Sequence, residues 1–107
     1  MNNVEAIDRA LDCLDHDFLK ALTEPARIEI LKLLVTHGGC DIGTLAEKMP
    51  QDRSVISRHL SYMQRAGLLK ATKQGRHVTY TVDGDGLVEK VDQMAGAIRR
   101  CVELGCC

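Results

Sequence analysis

One change of hydrophobic period, just after Gly67, constrains this chain more than any other feature. Upstream, apolar residues recur at three- and four-residue spacing, as in helices buried along one face. Downstream, Leu68–Thr72 and His77–Val82 read as two short strands around Lys73-Gln74-Gly75-Arg76, a basic hairpin. Immediately before the change lies a short helix from Ile42 to about Lys48, with Asp41 as its cap. Pro50 then forces a turn, and a longer helix runs from about Arg53 to Arg65 with Ile56, Leu60 and Met63 as its buried stripe. Gly67 closes that helix. Short helix, tight turn, longer helix and hairpin together make a winged helix-turn-helix. Its helix pair lies at about 42–66 and its wing at about 68–82.

The flanks read as helices too. Residues 4–20 carry Ile7, Ala10, Leu11, Leu14 and Phe18 on one face, with acids on the other. Thr23 is the expected cap of a helix with Glu24 and Pro25 in its first turn, running through Ile28, Ile30, Leu31, Leu33 and Leu34 to the glycines after His37. Asp83-Gly84-Asp85-Gly86 reads as a loop. A last helix, Leu87 to about Leu104, aligns Leu87, Val91, Met94, Ile98, Cys101 and Val102. The fold class is therefore mainly α with a small β-hairpin, and 107 residues suit a single domain over 1–107. Aromatic residues make up only 3% of the chain, so the core must be aliphatic.

A formal net charge of -1 conceals a strong asymmetry. From Gln51 to Tyr80 six basic side chains (Arg53, Arg58, Arg65, Lys70, Lys73 and Arg76) face Asp52 alone, a net of +5, which leaves eight against fourteen, or −6, elsewhere. A concentrated positive segment on an acidic body is the footprint of a polyanion-facing surface. The major groove of DNA admits one helix whose exposed side chains reach base edges while its neighbours hold phosphates. Opposite the Ile56–Leu60–Met63 stripe stand Arg53, Ser54, Ser57, Arg58 and Ser61, which are short hydroxyls and guanidinium forks. His59 and Tyr62 are candidates for further contacts, and Lys73, Gln74 and Arg76 at the hairpin tip for flanking backbone or minor groove. A solvated helix beside an ordinary hairpin would not require charge, spacing and element order to agree.

These same residues carry a family resemblance. Arg53-Ser-Val-Ile-Ser-Arg-His-Leu60, Ala66-Gly-Leu-Leu69 and Lys73-Gln-Gly-Arg-His-Val-Thr-Tyr80 resemble the signature of the ArsR/SmtB family, and Leu22-Thr-Glu-Pro-Ala-Arg-Ile-Glu-Ile-Leu31 resembles its second helix. The resemblance covers roughly residues 18–82. It implies cytoplasmic homodimeric repressors that hold double-stranded operator DNA and release it when a metal, metalloid or oxidant meets their thiols or imidazoles. Dimerisation is also expected from below, because the helices at about 4–20 and 87–104 both carry long apolar stripes.

Five cysteines, an odd number with no secretory segment, fit a reducing cytosol, and no stretch has the apolar length of a membrane span. In the arsenic-sensing branch of the family three thiols open the third helix. Here only Cys40 stands in such a run, with Gly38 and Gly43 at the other positions, so that site looks lost. The zinc and cobalt branches use histidines on the last helix, and residues 85–104 contain none. Cys101, Cys106 and Cys107 remain. On an unbroken helix they point about 140° and 240° apart, but Gly105 can end the helix in αL and let the last two fold back. Three thiolates suit a thiophilic ion, and the resemblance favours trivalent arsenic or antimony as inducer. No organic cofactor is expected. Cys13 reads as a surface thiol or as a fourth ligand from a partner chain.

Other readings stay open at this point. Cys101 can be a small buried hydrophobe, with Cys106 and Cys107 in a tail. A thiol sensor of oxidants or persulfides would have the same fold, with Cys101 linking to a terminal cysteine or to Cys40. A metal-binding thiol carrier without DNA accounts for the cysteines but not for the +5 segment. No nucleophile–base–orienter set points to an enzyme.

Overall fold

A computed structural model describes residues 3–12 and 14–105, with eight elements among them. The order is α1 (Asn3–Asp12), α2 (His16–Ala21), α3 (Pro25–His37), α4 (Ile42–Lys48), α5 (Arg53–Arg65), β1 (Leu69–Gln74), β2 (His77–Val82) and α6 (Gly84–Glu103). The winged helix-turn-helix expected from the sequence is the observed architecture.

Three boundaries differ from expectation, each for a local reason. The helix expected over 4–20 is two helices. Asp15 has extended backbone, and its carboxylate accepts the Phe18 N–H at 3.1 Å, which caps a new helix. The stripe divides there: α1 packs on α6, whereas α2 packs on α5. Thr23 is not a cap. Its hydroxyl donates to the Lys20 carbonyl at 2.8 Å, and Glu24 takes the N-cap position of α3 without a side-chain bond, with Pro25 following. Finally, Asp83-Gly84-Asp85-Gly86 is no loop: Asp83 accepts the Gly86 N–H at 3.1 Å, and α6 starts at Gly84.

Within the body the core forms where the stripes converge. Phe18, Ile30, Leu34, Leu45, Ile56, Leu60, Met63 and Leu68 are all fully buried. The core is aliphatic apart from Phe18, as the composition requires. The strands pair antiparallel from Leu69–Val82 to Gln74–His77, somewhat longer than expected at β1, and turn over Gly75 and Arg76. Gly75 has φ 61°, and among the described residues no non-glycine has positive φ, which matches a type II′ hairpin. Behind the hairpin, Cys40 and Tyr80 exchange backbone hydrogen bonds of 3.1 and 2.8 Å and fix the wing to the end of α3.

α1 and α6 form an arm beside this body. The radius of gyration is 17.0 Å and the long axis 53 Å. A compact chain of this length would have a radius of about 13 Å. No helix among the described residues is long and apolar enough to cross a membrane.

Candidate nucleic-acid interface

α5 is set by its buried side. Ile56, Leu60 and Met63 are each 0% exposed, which fixes the rotation of the helix and turns Arg53, Ser54, Ser57, Arg58 and Ser61 outward, all exposed. Arg65 is exposed at its last turn. On the wing Lys73, Gln74, Arg76 and His77 are exposed as well. An open cleft between the two is lined by Arg53, Ser57, Arg76, His77 and Asp41, so the start of α5 and the wing tip border one surface.

The charges on this surface are not consumed internally. Lys70 pairs with Asp83 at 3.5 Å, but among the described residues no ion pair engages Arg53, Arg58, Arg65, Lys73 or Arg76. Asp41, the acid in the cleft, is occupied as a cap and accepts the Thr44 N–H at 2.8 Å. That bond, with lesser help from His77 and Arg53, holds its carboxyl below the ordinary carboxylate value. The surface thus offers free guanidinium and ammonium groups to a polyanion.

His59 and Tyr62 are placed differently from their neighbours. Both are half-buried and face Arg27 of α3. Arg27 Nη1 lies 3.4 Å from His59 Nδ1, and its guanidinium carbon sits 4.7 Å above the centre of the Tyr62 ring. The Tyr62 hydroxyl is buried without a hydrogen-bond partner among the described residues. Burial, then Arg27, pushes the His59 imidazole below its usual value. Arg27 also donates to the carbonyls of Ala21 and Lys20, at 2.9 Å each. The sequence reading missed Arg27. The available signal was weak, because α3 also carries the exposed Glu29 and Lys32, and nothing in the sequence sets Arg27 apart from them.

Of the thiol residues, Cys101 is described and lies half-buried in the last turn of α6. Gly105 has φ 75°, the left-handed conformation that ends α6. Cys106 and Cys107, like Cys13, lie outside the described residues. Among the described residues no group of three or more His, Cys, Asp or Glu side chains could hold a metal. Cys40 is in the core, 5% exposed, and burial pushes its thiol up, towards the unreactive protonated form.

Comparison with known proteins agrees with this geometry. A family model described as HVO_A0114 matches residues 22–96. An uncharacterized HTH-type transcriptional regulator of Methanocaldococcus jannaschii is 32% identical over 73 residues, which span 68% of this chain and 82% of that protein. Among solved structures, a possible transcriptional regulator for arsenical resistance superimposes with a TM-score of 0.63 at 35% identity, covering 78% of this chain and 81% of that one. An ArsR-like transcriptional regulator from Rhodococcus sp. RHA1 superimposes with a TM-score of 0.68 at 28% identity, covering 82% and 86%.

Proposed function

The chain belongs to the ArsR-type winged-helix transcriptional regulators, matching the HVO_A0114 family model, and from that premise we propose that it is a homodimeric repressor that releases promoter DNA when a thiophilic ion binds its C-terminal thiols. The observation that carries the DNA half is the uncommitted basic and hydroxyl face of α5 beside the wing. In the groove Ser54 and Ser57 allow close approach, and Arg53 and Arg58 bring forked donors to guanine or phosphate. Lys73, Gln74 and Arg76 reach the flanking backbone. Two copies about one DNA turn apart address a near-palindromic operator.

The effector half rests on donor chemistry. Cys101 stands in the last turn of α6, which ends at the left-handed Gly105, and two further cysteines, Cys106 and Cys107, follow in the sequence. A set of soft sulfurs without nitrogen or carboxylate partners suits a thiophilic ion, and the family resemblance favours trivalent arsenic or antimony. Because α6 belongs to the dimerising arm, an effector that prefers the DNA-free dimer lowers DNA affinity, and DNA lowers effector affinity by the same factor.

Fluorescence anisotropy on DNA from upstream of the protein's own coding sequence tests both halves. Specific binding should weaken steeply with salt, and Arg58→Gln should weaken it further and lower the salt slope by about 1 if that arginine holds a phosphate. Salt-insensitive or absent binding would favour a thiol carrier instead. Titration of the reduced complex with arsenite, antimonite, cadmium, zinc and polysulfide then identifies the signal. Arsenite or antimonite should act at the lowest concentration and fail with Cys101→Ser. Normal arsenite release in Cys101→Ser, Cys106→Ser and Cys107→Ser alike would reject the thiol site.

A further inference from the structure

Arg27 joins three elements through groups that leave it little freedom. From α3 its guanidinium donates to the Lys20 and Ala21 carbonyls at the end of α2, the Lys20 carbonyl also accepting from Thr23. It covers the face of Tyr62 and meets His59 Nδ1, both on α5. We propose that Arg27 is a positioning residue of the reading face, pinning the His59 imidazole through Nδ1 so that the Nε2–H is its one remaining polar group. The proposal rests on the reading of α5 as the DNA-facing helix.

The proton assignment follows from donor chemistry. A guanidinium only donates and does not lose its charge in proteins. At 3.4 Å, Nδ1 can therefore only be the acceptor, and the ring proton belongs on Nε2. A doubly protonated ring would turn an N–H towards the guanidinium and set two positive charges against each other. Arg58, on α5 itself, opposes protonation in the same sense; Glu24, at the start of α3, favours it and is outweighed. Burial acts with the two arginines. The ring lines an open cleft with Ser57, Arg58 and Ser61, so a fixed neutral donor stands among the base-facing hydroxyls and guanidinium. A histidine free to titrate would instead add a positive charge to α5 as the pH falls through about 6.5.

Nitrogen-edited NMR of the imidazoles in the intact DNA-free protein tests this directly, with His59 distinguished from His16, His37 and His77 by its loss in His59→Gln. The wild type should show the neutral Nε2–H tautomer at His59 and a titration midpoint below the ordinary histidine value of 6.5. In Arg27→Met the His59 midpoint should rise towards that value, with burial still holding it down. An Nδ1–H tautomer, or a wild-type His59 midpoint not below 6.5, would overturn the proposal without any variant having to fold. A His59 unchanged in a folded Arg27→Met would overturn it too. DNA affinity at fixed salt gives the functional readout. In Arg27→Met it should be about threefold to tenfold weaker than in the wild type at pH ~8, with the gap narrowing as the pH falls to ~6, while the exposed His77 of the wing is common to both proteins. Arg27→Lys, which keeps the charge but loses the fork, should restore neither the tautomer nor the affinity. A wild type that binds no DNA but shows the expected tautomer would refute the DNA assignment and leave the pinning intact.

Discussion

The body and the arm spend their apolar residues in opposite ways. In the body the stripe of α5 is fully buried, together with Phe18, Ile30, Leu34, Leu45 and Leu68. In the arm Val88, Val91, Ile98 and Val102 of α6 are each half or more exposed, as are Val4 and Leu11 of α1, and Ala97 is the buried residue of α6. A monomer rarely leaves a contiguous apolar surface of this kind in water. The body is thus a self-sufficient core that holds the α5 surface, whereas the arm leaves an apolar face uncovered. A second copy with the same helices would cover that face.

The contrast is broken most directly by equal truncations in the two regions. Leu60→Ala removes a fully buried side chain from the reading helix and should cost about 2–5 kcal/mol, read as a lower denaturation midpoint with loss of DNA binding. Ile98→Ala, at a side chain 54% exposed, should cost the monomer within about 0.5 kcal/mol. Equal costs at low protein concentration would mean that the arm is part of the same core.

Charge placed on the arm sharpens the comparison next. Val91→Glu with Ile98→Glu would bury two unpaired carboxylates in the dimer while leaving them solvated in the monomer. Sedimentation should show the dissociation constant raised at least a hundredfold, about 2.7 kcal/mol. The thermal midpoint of the monomeric body should move little. A dimer of undiminished strength would place the interface elsewhere.

The same division explains what the sequence made legible. The register of α5 was readable because its stripe and its polar face alternate within one helix, and tertiary packing only has to accept that choice. The break after α1 was not readable, because Ile7, Leu11, Leu14 and Phe18 keep helical spacing across it; the split arises from packing on α6 on one side and α5 on the other. The start of α6 was hidden by two glycines, which are poor helix formers, and a single Asp83 cap outweighs them. Arg27 was invisible because its role exists only when α2, α3 and α5 are together. The exposed face of α6 appeared as a stripe, but a stripe alone does not say whether its partner is the same chain or another.

The smallest expected effect lies at the joint between the regions and tests how firmly they are coupled. Lys90 of α6 bonds Asp15 Oδ2 at 2.7 Å and lies 5.7 Å from the centre of the Phe18 ring, while Asp15 Oδ1 caps α2. One carboxylate therefore holds the arm and starts a helix of the body. Lys90, and then the Phe18 N–H, keep it below the ordinary value of 3.8. Because its folded value is depressed, its contribution is complete above 3.8 and disappears as the pH falls through the folded value. Lys90→Met removes the ion pair alone and should cost about 0.2–1 kcal/mol near neutrality, with a smaller acid loss that still begins near 3.8 but is complete at a higher pH than in the wild type. Asp15→Ala removes the cap as well and should cost about 1 kcal/mol more than Lys90→Met. Amide exchange should quicken in the first turns of α6 in both variants, but at the start of α2 more strongly in Asp15→Ala. If Lys90→Met leaves α6 exchange unchanged, the arm is held by Leu87 and Met94 packing on the core, and the ion pair contributes no coupling between arm and body.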